Sequence, residues 1–87
     1  MPTISRFYGI DIVMYFNDHL PPHFHAFDGG DEALIEWSPT PSVYRGSLPR
    51  ASLKLVFDWV ALHVAELDAD WNRARSGQPL DQIPPLP

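Results

Sequence analysis

Two adjacent glycines, Gly29 and Gly30, sit between short segments of alternating apolar residues, and that arrangement calls for a tight β-hairpin in the middle of the chain. With Gly29-Gly30 as a two-residue loop, the register follows by counting. Asp28 faces Asp31, Phe27 faces Glu32, Ala26 faces Ala33, His25 faces Leu34, Phe24 faces Ile35 and His23 faces Glu36. One face then carries Phe24, Ala26, Ala33, Ile35 and Trp37, which suits a core. The other carries His23, His25, Phe27, Glu32, Leu34 and Glu36.

Strand signals precede the hairpin. In residues 10–16, Ile10, Ile12, Met14 and Phe16 share one side. A shorter strand over residues 3–7 is set off by the turn-prone Tyr8-Gly9. Asn17-Asp18 closes the second strand, and Pro21-Pro22 makes a stiff link without ladder donors. Residues 38–42 read as a loop, and Val43-Tyr44-Arg45 as a candidate short edge strand ended by Gly46.

From residue 48 to 76 the period changes. Leu53, Val56, Phe57, Val60, Val64, Leu67, Trp71 and Ala74 step by three and four, which predicts one long helix with Ser47 as its N-cap and Pro49 in its first turn. Gly77 and Pro79 stop it. Leu55, Trp59 and Leu62 lie off that stripe, so the first half is apolar nearly all round. Either loops and the tail cover Trp59, or these residues form an interface together with Phe27 and Leu34. The fold expected is α+β, one domain over residues 1–87: an antiparallel sheet of four to five strands (3–45), one long helix (48–76) and an extended proline-rich tail (77–87).

A net charge of −5 with no run of basic residues argues against direct nucleic-acid binding. No stretch is long and apolar enough for a membrane span. The start does not read as a signal peptide, so the cytoplasm is the expected location. The absence of cysteine excludes thiolate and disulfide chemistry. None of the serines has a nucleophile-elbow context, and the acidic neighbours of Gly29-Gly30 disfavour a phosphate loop.

The chemically pointed segment is Asp18-His19-Leu20-Pro21-Pro22-His23-Phe24-His25. His23 and His25, two apart on a strand, present imidazoles about 6–7 Å apart along it. His19 could join them from the proline loop, and Glu36, opposite His23, could act as fourth ligand or orienter. Zinc or another divalent transition metal would suit such a set. Two further readings stand beside it: histidines that hold a turn and specify the fold, and a mixed polar and aromatic face for a partner.

The opening residues 1–10, Met14-Tyr15-Phe16-Asn17-Asp18-His19, Pro21-Pro22-His23-Phe24-His25, Leu48-Pro49-Arg50, residues 59–63, Trp71 with Arg73-Ala74-Arg75, and Pro79-Leu80 together resemble the bacterial family known as domain of unknown function 4160. The resemblance implies a small cytosolic protein, often encoded beside a second small domain in what resembles a toxin–antitoxin or regulatory module. Residues 38–45 depart from the family's turn and short strand, which leaves the last strand open. The leading expectation is therefore a non-enzymatic interaction protein with a neighbour-encoded partner. The alternatives are a metal-dependent hydrolase or nuclease using the histidines, and a homodimeric structural protein.

Overall fold

The structure, a computed structural model, describes residues 2–87. Five strands, β1 (Thr3–Phe7), β2 (Ile10–Val13), β3 (His23–Asp28), β4 (Asp31–Glu36) and β5 (Ser42–Gly46), form one antiparallel sheet in sequential order. Two helices follow, α1 (Arg50–Leu62) and α2 (Val64–Arg75). The domain is α+β, and among the described residues no helix is long and apolar enough to cross a membrane.

Both tight hairpins rest on positive φ. Tyr8 and Gly9 (φ 52° and 77°) join β1 to β2 with Phe7 opposite Ile10. Gly29 (φ 60°) takes the first central position of the β3–β4 turn, as a II′ geometry requires. The β3–β4 pairing matches the counted register at all six positions, from Asp28↔Asp31 to His23↔Glu36. The core face is the expected one: Phe24, Ala26, Ala33, Ile35 and Trp37 are buried against Val56, Trp59, Val60, Leu67 and Trp71.

Three details differ from the sequence expectation, while the candidate edge strand over residues 43–45 does form. β2 ends at Val13 rather than running to residue 16. A bulge opposite it on β1, between Thr3 and Ser5, breaks the alternation, so Val13 and Met14 are both buried while Phe16 is exposed. Residues 42–46, left open by the sequence, do form β5; its pairing with β4 carries a bulge between Leu34 and Ile35.

The single long helix is instead two, broken at His63 (φ −135°). In a continuous helix Val64 would lie within about 40° of Val60 around the axis and point inward. The break turns Val64 outward to solvent and tucks the His63 ring against Trp59, 5.5 Å between centroids. Finally, Ser47 caps nothing. Its backbone N–H donates to the Glu32 carbonyl at the sheet edge (3.1 Å), and the helix begins after Pro49 with no side-chain cap.

Gly46 explains that shift. At φ 80° it turns the chain out of the sheet, and a Cβ there would collide with the Glu32 carbonyl oxygen, which is backbone and cannot yield. Gly46→Ala adds a left-handed penalty of roughly 1–2 kcal/mol to that collision. We expect it to lower unfolding free energy by at least ~2 kcal/mol in urea titrations; an unchanged midpoint would refute the close approach.

Residues after α2 lie across the sheet and helices. Ile83 N–H donates to the Ile4 carbonyl (2.8 Å), and the Trp59 indole N–H donates to the Pro84 carbonyl (2.9 Å). Ile83 is buried, and Leu80 and Leu86 pack on the core. Trp59 has no exposed surface and lies 5.4 Å from Phe7 and 5.7 Å from Phe24.

Asp70 anchors the start of this segment. Fully buried, its Oδ1 accepts from Arg73 (2.9 Å) and from the Asp81 N–H (2.9 Å). Burial pushes its carboxyl above the ordinary value, more than those two donors and the Arg73 charge pull it down. The folded state thus holds this proton more tightly than the unfolded chain. Its favourable contribution is full below pH 3.8 and is lost as pH rises through the raised folded value. In a pH series of denaturant melts, Asp70→Asn should lack that decline; parallel wild-type and variant curves would contradict it.

Candidate metal centre

Strand alternation places His23 and His25 on the sheet face opposite Phe24 and Ala26. Asn17, with φ 55°, turns the chain after β2, and its N–H donates to the Ala74 carbonyl at the end of α2 (3.3 Å). That anchor hangs Asp18 over the beginning of β3. The return of the chain through Pro21 brings the Pro21 carbonyl back to His23.

Each imidazole is oriented by its Nδ1. His23 Nδ1 lies 2.8 Å from the Pro21 carbonyl, which can only accept, so Nδ1 carries the hydrogen. His25 Nδ1 lies 2.9 Å from Glu32 Oε2. With both Nδ1 atoms engaged, the two Nε2 atoms turn to one carboxylate oxygen: Asp18 Oδ2 is 3.0 Å from His23 Nε2 and 3.2 Å from His25 Nε2. The His23 approach is short but off the hydrogen-bond axis, so this buried nitrogen has no hydrogen-bond partner. In the neutral tautomer it presents a lone pair to an anionic oxygen.

Ligand atoms of Asp18, His23 and His25 all lie within 4.8 Å of one another. Ions bound at about 2.0–2.1 Å in tetrahedral geometry set neighbouring ligand atoms roughly 3.3 Å apart. The two Asp18–histidine distances fall just short of that, so a small outward movement would admit an ion.

Asp18 is held as the anion. Its partial burial would raise the carboxyl, but the side-chain and backbone hydrogen bonds from His19, then the His25 hydrogen bond and the His23 charge, outweigh it and hold it at about 2. Aromatic rings close the surroundings: Trp71 and Tyr44 lie 5.6 and 5.7 Å from His23, and Tyr15 meets His25 edge-on at 4.6 Å.

The histidine pair expected from the sequence is therefore together, but with a different carboxylate. Glu36 stands opposite His23 in the strand register yet lies outside the ligand cluster. His19 is also outside it: more than half exposed, it places Nδ1 2.8 Å from Asp18 Oδ1 and so orients the carboxylate. The sequence reading puts Asp18 at a turn, at the head of the histidine segment and within bonding reach of an imidazole, but not among the metal ligands. Its position one residue before the first histidine of the cluster was the available signal.

The residues considered for a partner surface do not gather into one. Phe27 and Leu34 stand on the outer sheet face with the histidines, Leu34 buried and Phe27 half-buried. Trp59 and the half-buried Leu55 pack in the core on the opposite side, and Leu62 is exposed.

A family model described as "Domain of unknown function (DUF4160)" matches residues 9–72, which include the whole cluster. No curated protein and no solved structure matches the chain.

Proposed function

The chain belongs to the DUF4160 family, and on that footing we propose that it is a metal-binding domain holding one divalent transition ion, zinc foremost, on Asp18 Oδ2, His23 Nε2 and His25 Nε2. One observation carries this reading: both imidazoles are oriented through Nδ1 and turn Nε2 to one ionised carboxylate oxygen, where His23 Nε2 has no hydrogen-bond partner and the hydrogen that His25 Nε2 shares with Asp18 would give way to an ion. Metal-bound histidines characteristically donate their other N–H to a carbonyl or carboxylate, as these two do. Three protein ligands with a position left open suit a Lewis acid rather than a structural staple, which keeps four. In this reading the ion would polarise a water or ligand oxygen at the open position, and His19 would fix the outer oxygen of Asp18.

The test is direct. Protein made without a histidine tag and stripped with a chelator should take up about one equivalent of zinc or cobalt in calorimetry, since preformed ligands bind without folding cost. Bound cobalt should show a visible spectrum of low coordination number. Uptake below about a tenth of an equivalent would end the proposal.

A second reading, an interaction module paired with a neighbour-encoded protein, is favoured by β5. Every residue of this edge strand is exposed, and Val43 and Tyr44 add apolar surface beside the centre. Co-expression with the neighbouring gene product should then give one co-eluting complex. Separate elution would sink this reading while leaving metal binding intact.

A further inference from the structure

Arg45 stands on the same sheet face as the histidines. His25 faces Leu34 and Leu34 faces Arg45, so the three share one cross-strand row. Two strand spacings, roughly 9–10 Å, separate the backbones of His25 and Arg45. The bulge between β4 and β5 brings a second side chain to that face. Leu34 pairs with Arg45 and Ile35 with Val43, which leaves Tyr44 as the extra residue. In a regular strand Tyr44 and Arg45 would point to opposite faces. Here the Tyr44 ring lies 5.7 Å from His23 and 6.1 Å from His19, and the Arg45 guanidinium carbon lies 5.9 Å from the same ring. Bulges re-aim side chains in this way beside functional sites.

The charge on Arg45 is uncommitted. Arg6, Lys54 and Arg73 are each paired with a carboxylate, whereas among the described residues Arg45 has no ion pair. Its planar fork, steadied over the Tyr44 ring, matches an acceptor with two oxygens. The side chain is exposed, so its stem of three methylenes is free to carry that fork toward His25. A divalent ion held by one carboxylate and two neutral imidazoles would keep one positive charge beside its open position.

We propose that the centre, on the metal-binding reading above, takes a small oxyanion, a carboxylate or a phosphate. One oxygen of the anion fills the open position on the ion, another accepts from the Arg45 guanidinium, and the Tyr44 ring lines the face between them. Glu36 opposes this from the neighbouring row, where it faces His23. Neutralising it should therefore strengthen anion binding.

The experiment uses the full chain loaded with cobalt and follows its visible spectrum at constant ionic strength. Sodium acetate and inorganic phosphate are titrated separately, which distinguishes a carboxylate ligand from a phosphate one. At least one of them should give a saturable spectral change. Arg45→Gln should weaken that binding about tenfold while leaving zinc affinity unchanged, as expected for a charge-assisted contact. Arg45→Lys keeps the charge without the fork and should fall between the two. Glu36→Gln should tighten the anion about twofold, and Arg6→Gln, on the far edge strand, should change nothing. A loaded protein whose spectrum ignores both anions, or native anion affinity in Arg45→Gln, would overturn the proposal while the metal centre stands. Failure of the native protein to load cobalt or zinc would remove the metal reading and this proposal together.

Discussion

Asp18→Asn is expected to weaken zinc binding by at least about a hundredfold while leaving the domain folded, more than the ~10–100-fold typical of outer partners of metal ligands. The amide keeps the shape of the carboxylate and can still accept from the His19 N–H (2.9 Å), so the turn survives. What it loses is the anionic oxygen on which both Nε2 atoms converge. His25→Ala should have a comparable effect. His19→Ala, which removes only the orienting contact, should cost about tenfold, and Glu36→Gln should cost nothing measurable. Calorimetric zinc titrations of the four variants give this ranking directly. Equal losses for Glu36→Gln and Asp18→Asn would show that the ion sits elsewhere. The native protein should also be stabilised by metal: at a hundredfold excess over Kd the gain is about 2.7 kcal/mol, on the order of 10 °C in Tm for a domain of this size. Affinity should fall as the medium is acidified, because imidazole must be unprotonated to bind.

Trp59→Ala should be the most damaging single change to stability. Truncating a fully buried tryptophan costs roughly 3–5 kcal/mol, a large share of the ~4–13 kcal/mol available to a domain of this length. The indole joins Phe7 and Phe24 of the sheet to His63 at the helix break, and its N–H binds the Pro84 carbonyl. Its removal therefore loosens three layers at once. Denaturant melts should show the midpoint collapsing, with Trp59→Phe intermediate. A variant of native stability that failed only in binding a partner would return Trp59 to an interface role.

Local patterns carried much of this architecture. Gly29-Gly30 specified the β3–β4 register, because a two-residue loop leaves no freedom in the count. The change of period after residue 48 marked the helical half, and the alternation within β3 put both histidines on one face. The departures came where a distant group competed with a local preference. Ser47 would cap a helix in isolation, but its N–H is taken by Glu32 at the sheet edge. The stripe through Val64 is continuous in the sequence, yet the helix breaks at His63, whose ring packs against Trp59.

The sequence by itself determined that His23 and His25 share a face and that their neighbours include a carboxylate, since strand geometry and turn length operate within a few residues. Only the tertiary structure decided that the carboxylate is Asp18 rather than Glu36. Cross-strand register puts Glu36 opposite His23, but Asp18 reaches both Nε2 atoms because Asn17 is tied to Ala74 of α2. That tie spans 57 residues of chain and depends on how the helices settle on the sheet, which no local pattern encodes.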